Sequence, residues 1–318
     1  MGGTGSSSSN EFILLGLSNV PETETFLFVM FLMFYLTTIL GDMYIIILAA
    51  MDSKLHNPMY FFLTHFSFVD ICLSSVIVPQ LLINLSSRRQ TISTPGCLTQ
   101  LYFFLLTANM EFFLLAVMGY DRYVAICKPL HYTLVMRKKV CGLLVAVSWM
   151  ITALHALLYT VMTSLLSFCS SNQIHHFFCD VPPLLKLSCS DTSGYQLVTY
   201  TEAVAIILGP FLSIIASYTG IISTVVKIKS MDGRHKAFST CSSHLILVAL
   251  FYASVFFMYF RPPLNYTVDY DMVVSVIYTV IIPMLNPFIY ALRNRDMKSA
   301  WKRVRCLSDT CIISQHKT

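Results

Sequence analysis

Seven apolar stretches follow one another along the chain, and the polar residues are gathered into the gaps between them. Three stretches contain no Asp, Glu, Lys or Arg: Val140–Cys179, Ala237–Phe260 and Met272–Leu292. Four more, Phe26–Met51, Tyr60–Ile83, Leu98–Tyr120 and Leu197–Val226, are each interrupted by a single acid. A helix needs about 20 apolar residues to cross the hydrocarbon layer, and all seven are long enough. The pattern predicts an all-α membrane protein, a seven-transmembrane helix bundle over residues 26–292. An extracellular tail (residues 1–25) precedes it and a cytoplasmic segment (293–318) follows. The halves show no self-similarity, and seven spans do not divide into inverted repeats.

Composition agrees. Of 318 residues, 56% are hydrophobic and only 12% are charged, about half the share usual in a soluble domain. The basic residues set the orientation. With the N-terminus outside, seventeen of the 21 Lys and Arg face the cytosol, leaving Arg88, Arg89, Lys186 and Arg261 outside. Cytoplasmic loops collect such charge, so the chain is read as N-out, C-in. The net charge of +5 is this asymmetry and asks for no nucleic-acid partner. The N-terminal segment has no basic residue and no apolar core, so it is not read as a signal peptide.

Topology also sorts the ten cysteines. Cys97, Cys169, Cys179 and Cys189 fall on the oxidising side, which suggests two disulfides; spacing alone leaves three pairings open. The "HHFFCD" run holds His176, Cys179 and Asp180, but a disulfide cysteine is no thiolate, and no metal site is expected. Two sequons, at Asn84 and Asn265, lie on the outer side as candidate glycosylation sites.

Buried charges are costly in lipid and mark candidate functional sites. Asp42, Asp70 and Glu111 fall at one depth, about 15 Å from the inner face. Three carboxylates at one level would hold a cation or share protons, or else serve as separate polar anchors beside Ser67 and Asn286. Pro210, Pro283 and Pro287 sit inside helical runs and should kink them.

Four segments carry a resemblance to a known family: "LHNPMYFFL" (55–63), "MGYDRYVAIC" (118–127), "KAFSTCSSH" (236–244) and "PMLNPFIYALRN" (283–294). Their residues and order resemble those of vertebrate odorant receptors, rhodopsin-like G-protein-coupled receptors, the tetrapod-type class fitting best. The likeness runs from about Phe12 to Arg305. It implies a receptor that binds a small volatile odorant in the outer half of the bundle. It also implies activation of an olfactory-type stimulatory G protein, raising cyclic AMP, from the plasma membrane of olfactory sensory neuron cilia. Asp121 and Arg122 then resemble the resting-state pair at the G-protein end of the third helix, followed by Tyr123. Tyr218 and Tyr290 resemble tyrosines that swing inward on activation, and Ser239, Thr240 and His244 the inner end of the moving sixth helix. Cys97 matches the partner of Cys179, leaving Cys169 for Cys189. Asp70, Glu111 and Asn286 match a mid-membrane ion site, with a sodium ion as the candidate occupant and no other cofactor.

The resemblance places the odorant among Phe104, Leu105, Ala108 and Asn109 of helix three and Tyr252, Phe256 and Tyr259 of helix six, with Glu202 nearby. Tyr252, Phe256 and Tyr259 recur at i, i+4 and i+7 on one helical face. An apolar pocket with few polar anchors suits a small neutral molecule. No lysine lies between Met272 and Leu292, so an opsin-like retinal Schiff base has no partner there; nor does an acid stand in the outer third of helix three to hold an amine. Three departures from the family's pattern stand out. Asp42 replaces its usual Asn, Ala253 replaces a Gly, which would narrow the pocket, and the usual N-terminal sequon is missing.

After helix seven, Met297, Ala300, Trp301 and Val304 recur at helical spacing among bases. This predicts a short amphipathic helix on the anionic inner leaflet, with lipid as partner. The alternatives are a receptor of this class sensing a non-olfactory metabolite, or a proton- or cation-coupled carrier using the three carboxylates. A carrier would more naturally show repeat symmetry. No HExxH or GxSxG motif occurs, so no enzyme is read.

Overall fold

The computed structural model describes residues 11–17, 20–87, 90–168, 172–259, 268–293 and the single positions 297, 299, 300 and 303. Seven long helices are arranged as a bundle: α1 (Pro21–Met51), α2 (Pro58–Ser86), α3 (Thr94–Cys127), α4 (Lys138–Ser164), α5 (Ser193–Lys227), α6 (Met231–Tyr259) and α7 (Val268–Val276, Ile277–Ile281 and Ile282–Arg293). Six carry apolar windows long enough to cross a membrane, and α6 contributes the shorter apolar stretch Cys241–Phe257. Large apolar side chains such as Leu40, Leu143, Leu154 and Leu212 are exposed around the outside. That is unfavourable in water but suits a surface facing acyl chains.

Local chemistry explains where the helices begin. α1 starts at Pro21, before the apolar run that defined it in the sequence. Proline at the first position is pre-organised, and Glu22 and Glu24 in the first turn complement the helix dipole. Asn57 caps α2 by accepting from the Tyr60 N–H at 3.3 Å, and Ser93 caps α3 by accepting from Gly96 at 3.2 Å. Two of the three prolines expected to kink their helices follow π turns, Val204–Leu208 and Ile277–Ile281, whereas Pro287 lies inside the α-helix Ile282–Arg293. Pro210 and Pro283 have no N–H for the carbonyls of Ile206 and Thr279, and the wider turn absorbs each missing bond.

α3 is the central strut, packed against α2, α4, α5 and α6. α1 lies on α2 and α7, and comes so close to α7 that a Cβ on Gly41 would lie 2.8 Å from Pro287 Cβ. The outer end carries a small sheet. The strand Glu11–Leu14 pairs antiparallel with Thr91–Ser93 and parallel with Gln173–Ile174, burying Phe12 and Leu14. The segment expected as a tail is thus tied from residue 11 to the loops before α3 and before α5. At the inner end Met297 and Ala300 are buried, and Arg303 Nε donates to Asp52 Oδ2 at 2.9 Å. Both agree with a short amphipathic helix folded back on the bundle.

Candidate functional site: a loop lid, an aromatic middle and a latch at the far end

The loop between α4 and α5 is fastened over the bundle at several points. Cys97 at the top of α3 is bonded to Cys179, with Cα atoms 5.5 Å apart. Cys189 is also disulfide-bonded; Cys169, its expected partner, lies outside the described residues. Gln100 reinforces the first bridge, accepting from the Cys179 N–H at 2.9 Å and donating to the Val76 carbonyl at 3.1 Å. His176 Nε2 lies 3.1 Å from the Ser275 hydroxyl of α7. Phe178 meets Phe104 edge-on at 4.9 Å and packs against Phe177. These rings form a lid, and "HHFF" beside Cys179 is the sequence signal for it. Burial pushes the His176 imidazole down to about 4, against a smaller upward pull from the Phe178 backbone. Burial pushes the Asp180 carboxyl up to about 6, eased by the Val181 N–H it caps at 2.7 Å and aggravated by Asp271.

Below the lid, Phe104 and Ala108 are buried, and Leu105 and Glu202 half-buried. Tyr252 lies deeper, its ring 5.5 Å from Phe112 and 4.6 Å from Phe211, with a buried hydroxyl that has no partner among the described residues. Phe251 packs on Phe112 and Tyr278 beside it. Three expectations need correction. Phe256 is 57% exposed on the outer face of α6; the inward stripe runs through Phe251 and Val255, which turns Phe256 toward lipid. The Asn109 amide donates to His155 Nδ1 of α4 at 2.9 Å, so it ties two helices together instead of standing free for a ligand. Ala253 is also exposed and narrows nothing. The side chain of Tyr259 lies outside the described residues.

Of the three mid-membrane acids, Asp70 and Glu111 come together, while Asp42 reaches them only at electrostatic range. Asp42, Asp70 and Glu111 are all buried. Asn286 Nδ2 donates to Asp70 Oδ2 at 2.8 Å, and Asp70 and Glu111 lie within hydrogen-bonding reach of one another. Ser67 is the polar neighbour of Asp42, yet neither Asp42 oxygen has a hydrogen bond of ordinary geometry. Among the described residues, no three of His, Cys, Asp and Glu are grouped to hold a metal ion.

At the opposite end of the bundle from this loop, the Arg122 guanidinium folds onto Asp121, with Nε 3.0 Å from Oδ2. Tyr132 of the following loop donates to Asp121 Oδ1 at 2.8 Å, a partner eleven residues on that the "DRY" segment does not itself contain. Tyr123 packs where a Cβ on Gly220 would be, 2.5 Å from its ring. His244 joins three helices: Nε2 lies 2.9 Å from the Leu115 carbonyl of α3, and Nδ1 lies 2.8 Å from the Tyr218 hydroxyl of α5. A carbonyl only accepts, so Nε2 carries the proton; in the neutral ring Nδ1 then accepts from Tyr218. Tyr290 is buried nearby. Ser239 and Thr240 lie on α6, their side chains outside the described residues.

Of the sequons, Asn84 is 4% exposed within α2, its Oδ1 accepting from Gln80 at 2.9 Å. The folded chain does not offer that amide to a glycan, which corrects the motif. Asn265 lies outside the described residues.

Comparisons with known proteins agree with this anatomy. The family model described as olfactory receptor matches residues 31–308. The chain is 52% identical to olfactory receptor 1F1 of Homo sapiens over 304 residues, covering 96% of this chain and 97% of the relative. It is 51% identical to olfactory receptor 1f45 of Rattus norvegicus over the same shares. Among solved structures, squid rhodopsin shares the fold, with a TM-score of 0.70 at 15% identity over 92% of this chain and 88% of that one. The chain belongs to the olfactory receptor family: it is a multi-pass G-protein-coupled receptor, which takes a small-molecule ligand and a G protein as partners and is no enzyme.

Proposed function

We propose that the ligand is a small, neutral, volatile odorant held below the extracellular lid, and that the G protein is of the stimulatory olfactory type, raising cyclic AMP. The observation that carries the ligand reading is the Tyr252 hydroxyl, buried and without a partner among the described residues. A buried hydroxyl left unpaired costs about 1–3 kcal/mol, so a molecule bringing one hydrogen-bonding group into this aromatic surround recovers that cost. The basic residues of the cytosolic loops support an N-out receptor in the plasma membrane, with the cilia of olfactory sensory neurons as its place of work. Asp70 Oδ1, Glu111 Oε1 and Asn286 Oδ1 are all buried without hydrogen bonds. These oxygens are the donors a sodium ion takes, and in this reading Asp70, Glu111 and Asn286 would hold one.

The test is a cyclic-AMP reporter in cells expressing the receptor, screened against a broad odorant panel with surface staining in parallel. A response abolished by Arg122→Ala and weakened about tenfold or more by Tyr252→Phe is expected. Silence of a well-displayed receptor across the panel would overturn the odorant assignment in favour of a metabolite. A response indifferent to Tyr252→Phe would overturn its anchoring role.

A further inference from the structure

A cavity of about 440 Å³ opens at the other end of the molecule, far from the lid. It lies between the last turn of α1, the first turn of α2 and the start of α4. Ala49, Leu55, Phe61 and Met136 form its apolar wall, and His56 and Lys138 stand at its rim. Its size is within the range, roughly 300–1,000 Å³, of pockets that bury small ligands. It opens onto the lipid-facing surface, because Ile47, Met51, Phe61 and Leu143 around it are all exposed apolar residues. A cavity so placed is filled from the membrane.

The rim identifies the lipid class. α4 begins with Arg137, Lys138 and Lys139, all exposed, and its N-cap makes no side-chain hydrogen bond. Bases at the positive end of a helix dipole, above unpartnered N–H groups, are unfavourable by themselves. An anion resolves both problems, since phosphate is bound well at such a terminus. No described acid is available to do so: Asp52 is engaged by Arg303, and Asp121 by Arg122 and Tyr132. Lys138 makes no ion pair among the described residues.

We infer that this cavity holds one acyl chain of an anionic phospholipid, whose phosphate is bound by Lys138 and the start of α4. Under the orientation proposed above this is a lipid of the inner leaflet; the site itself does not depend on that orientation. Occupancy would bind α4 and the loop carrying Tyr132 to the α1–α2 pair, and so steady the platform on which Asp121 and Arg122 meet the G protein.

The test uses the full-length receptor in phosphatidylcholine nanodiscs doped with phosphatidylserine carrying a diazirine in its acyl chain. After illumination, labelled peptides are mapped by mass spectrometry. Labelling concentrated on residues 46–61 and 136–141 is expected, with the matching photoactivatable phosphatidylcholine giving about fivefold less. Lys138→Gln should lower phosphatidylserine labelling about fivefold, whereas Lys227→Gln, at the inner end of α5, should leave it unchanged. Ala49→Leu, which fills the cavity, should remove it for both lipids. Labelling spread evenly over the outward faces of the helices would overturn the inference. So would labelling indifferent to the headgroup, or displacement by cholesterol but not by unlabelled phosphatidylserine. The wild-type map alone locates the lipid, so loss of fold in a variant leaves the result decided.

Discussion

His244→Phe should raise basal signalling. The imidazole holds α6 against α3 and α5 through two hydrogen bonds, 2.9 Å to the Leu115 carbonyl and 2.8 Å to the Tyr218 hydroxyl. Both exist only while α6 sits against its neighbours. Phenylalanine keeps a ring to stack on Tyr218, which lies nearly parallel at 5.6 Å, so the substitution removes the bonds and spares most of the packing. Each bond between membrane helices contributes about 0.6–1 kcal/mol. The Cys241 thiol, a second neighbour of the Tyr218 hydroxyl, recovers part of one. The net loss to the closed arrangement is about 1–2 kcal/mol, which multiplies the population of the open form roughly 5- to 30-fold. The assay is cyclic-AMP output without odorant, normalised to receptor at the surface. Tyr218→Phe should give a smaller rise, and the double variant only slightly more than His244→Phe alone, because the two share one bond and only the contact with Cys241 is lost in addition. Unchanged or lower basal output at matched surface density would refute the latch.

Three further outcomes follow from buried or crowded positions. Gly41→Val should force α1 away from α7, since even a Cβ would lie 2.8 Å from Pro287; a loss of about 1–3 kcal/mol would be read as a lower melting temperature of the purified receptor. Asp42→Asn should raise that temperature, because it removes a buried carboxylate whose oxygens lack hydrogen bonds and which lies near Asp70. The lid should respond to extracellular pH through two opposed groups. Asp180, with a folded-state value of about 6 against 3.8, contributes stability that is full below pH 3.8 and lost as pH rises through 6. His176, at about 4 against 6.5, contributes stability that is full above pH 6.5 and lost as pH falls through 4. Hydrogen exchange of the second extracellular loop at pH 7.4 and 5 reads the balance: Asp180→Asn should make acid more destabilising, and His176→Gln should make acid stabilising.

The spans were legible because a membrane removes the alternatives: uninterrupted apolar runs longer than 20 residues have few other fates. Two sites of irregularity were legible too, since Pro210 and Pro283 lack a donor, although Pro79 and Pro287 lack one as well and lie inside α-helix. What failed was facing and burial. Tyr252 and Phe256 share a helical face in the sequence, yet the inward stripe passes between Phe251 and Val255, so one ring packs in the bundle and the other meets lipid. The Asn84 sequon is a local motif that carries no information on burial. The strand Glu11–Leu14 is too short to announce itself, and its partners near Thr91 and Gln173 are distant in the chain. The Arg303–Asp52 pair spans 251 positions and leaves no local trace at all.

The ties on α6 differ in kind along its length, and that difference explains how a ligand at one end can work a latch at the other. Among the described residues, the polar ties from α6 to the rest of the bundle are concentrated in one half of the helix, at Cys241, beside the Tyr218 hydroxyl, at Ser243, which reaches the Ile289 carbonyl at a long 3.4 Å, and at His244. Higher up, Phe251 and Tyr252 hold α6 by ring contacts with Phe112, Phe211 and Tyr278. Ring contacts are weakly directional and tolerate a tilt, whereas a hydrogen bond weakens steeply once its geometry is lost. Tyr252 and His244 are eight residues apart, about 12 Å along the helix. A molecule wedged among the rings can therefore tilt α6 at small cost where it binds and still break the bonds at His244. On this reading the aromatic middle would serve as the pivot, and the two bonds at His244 would be among those a tilt has to break.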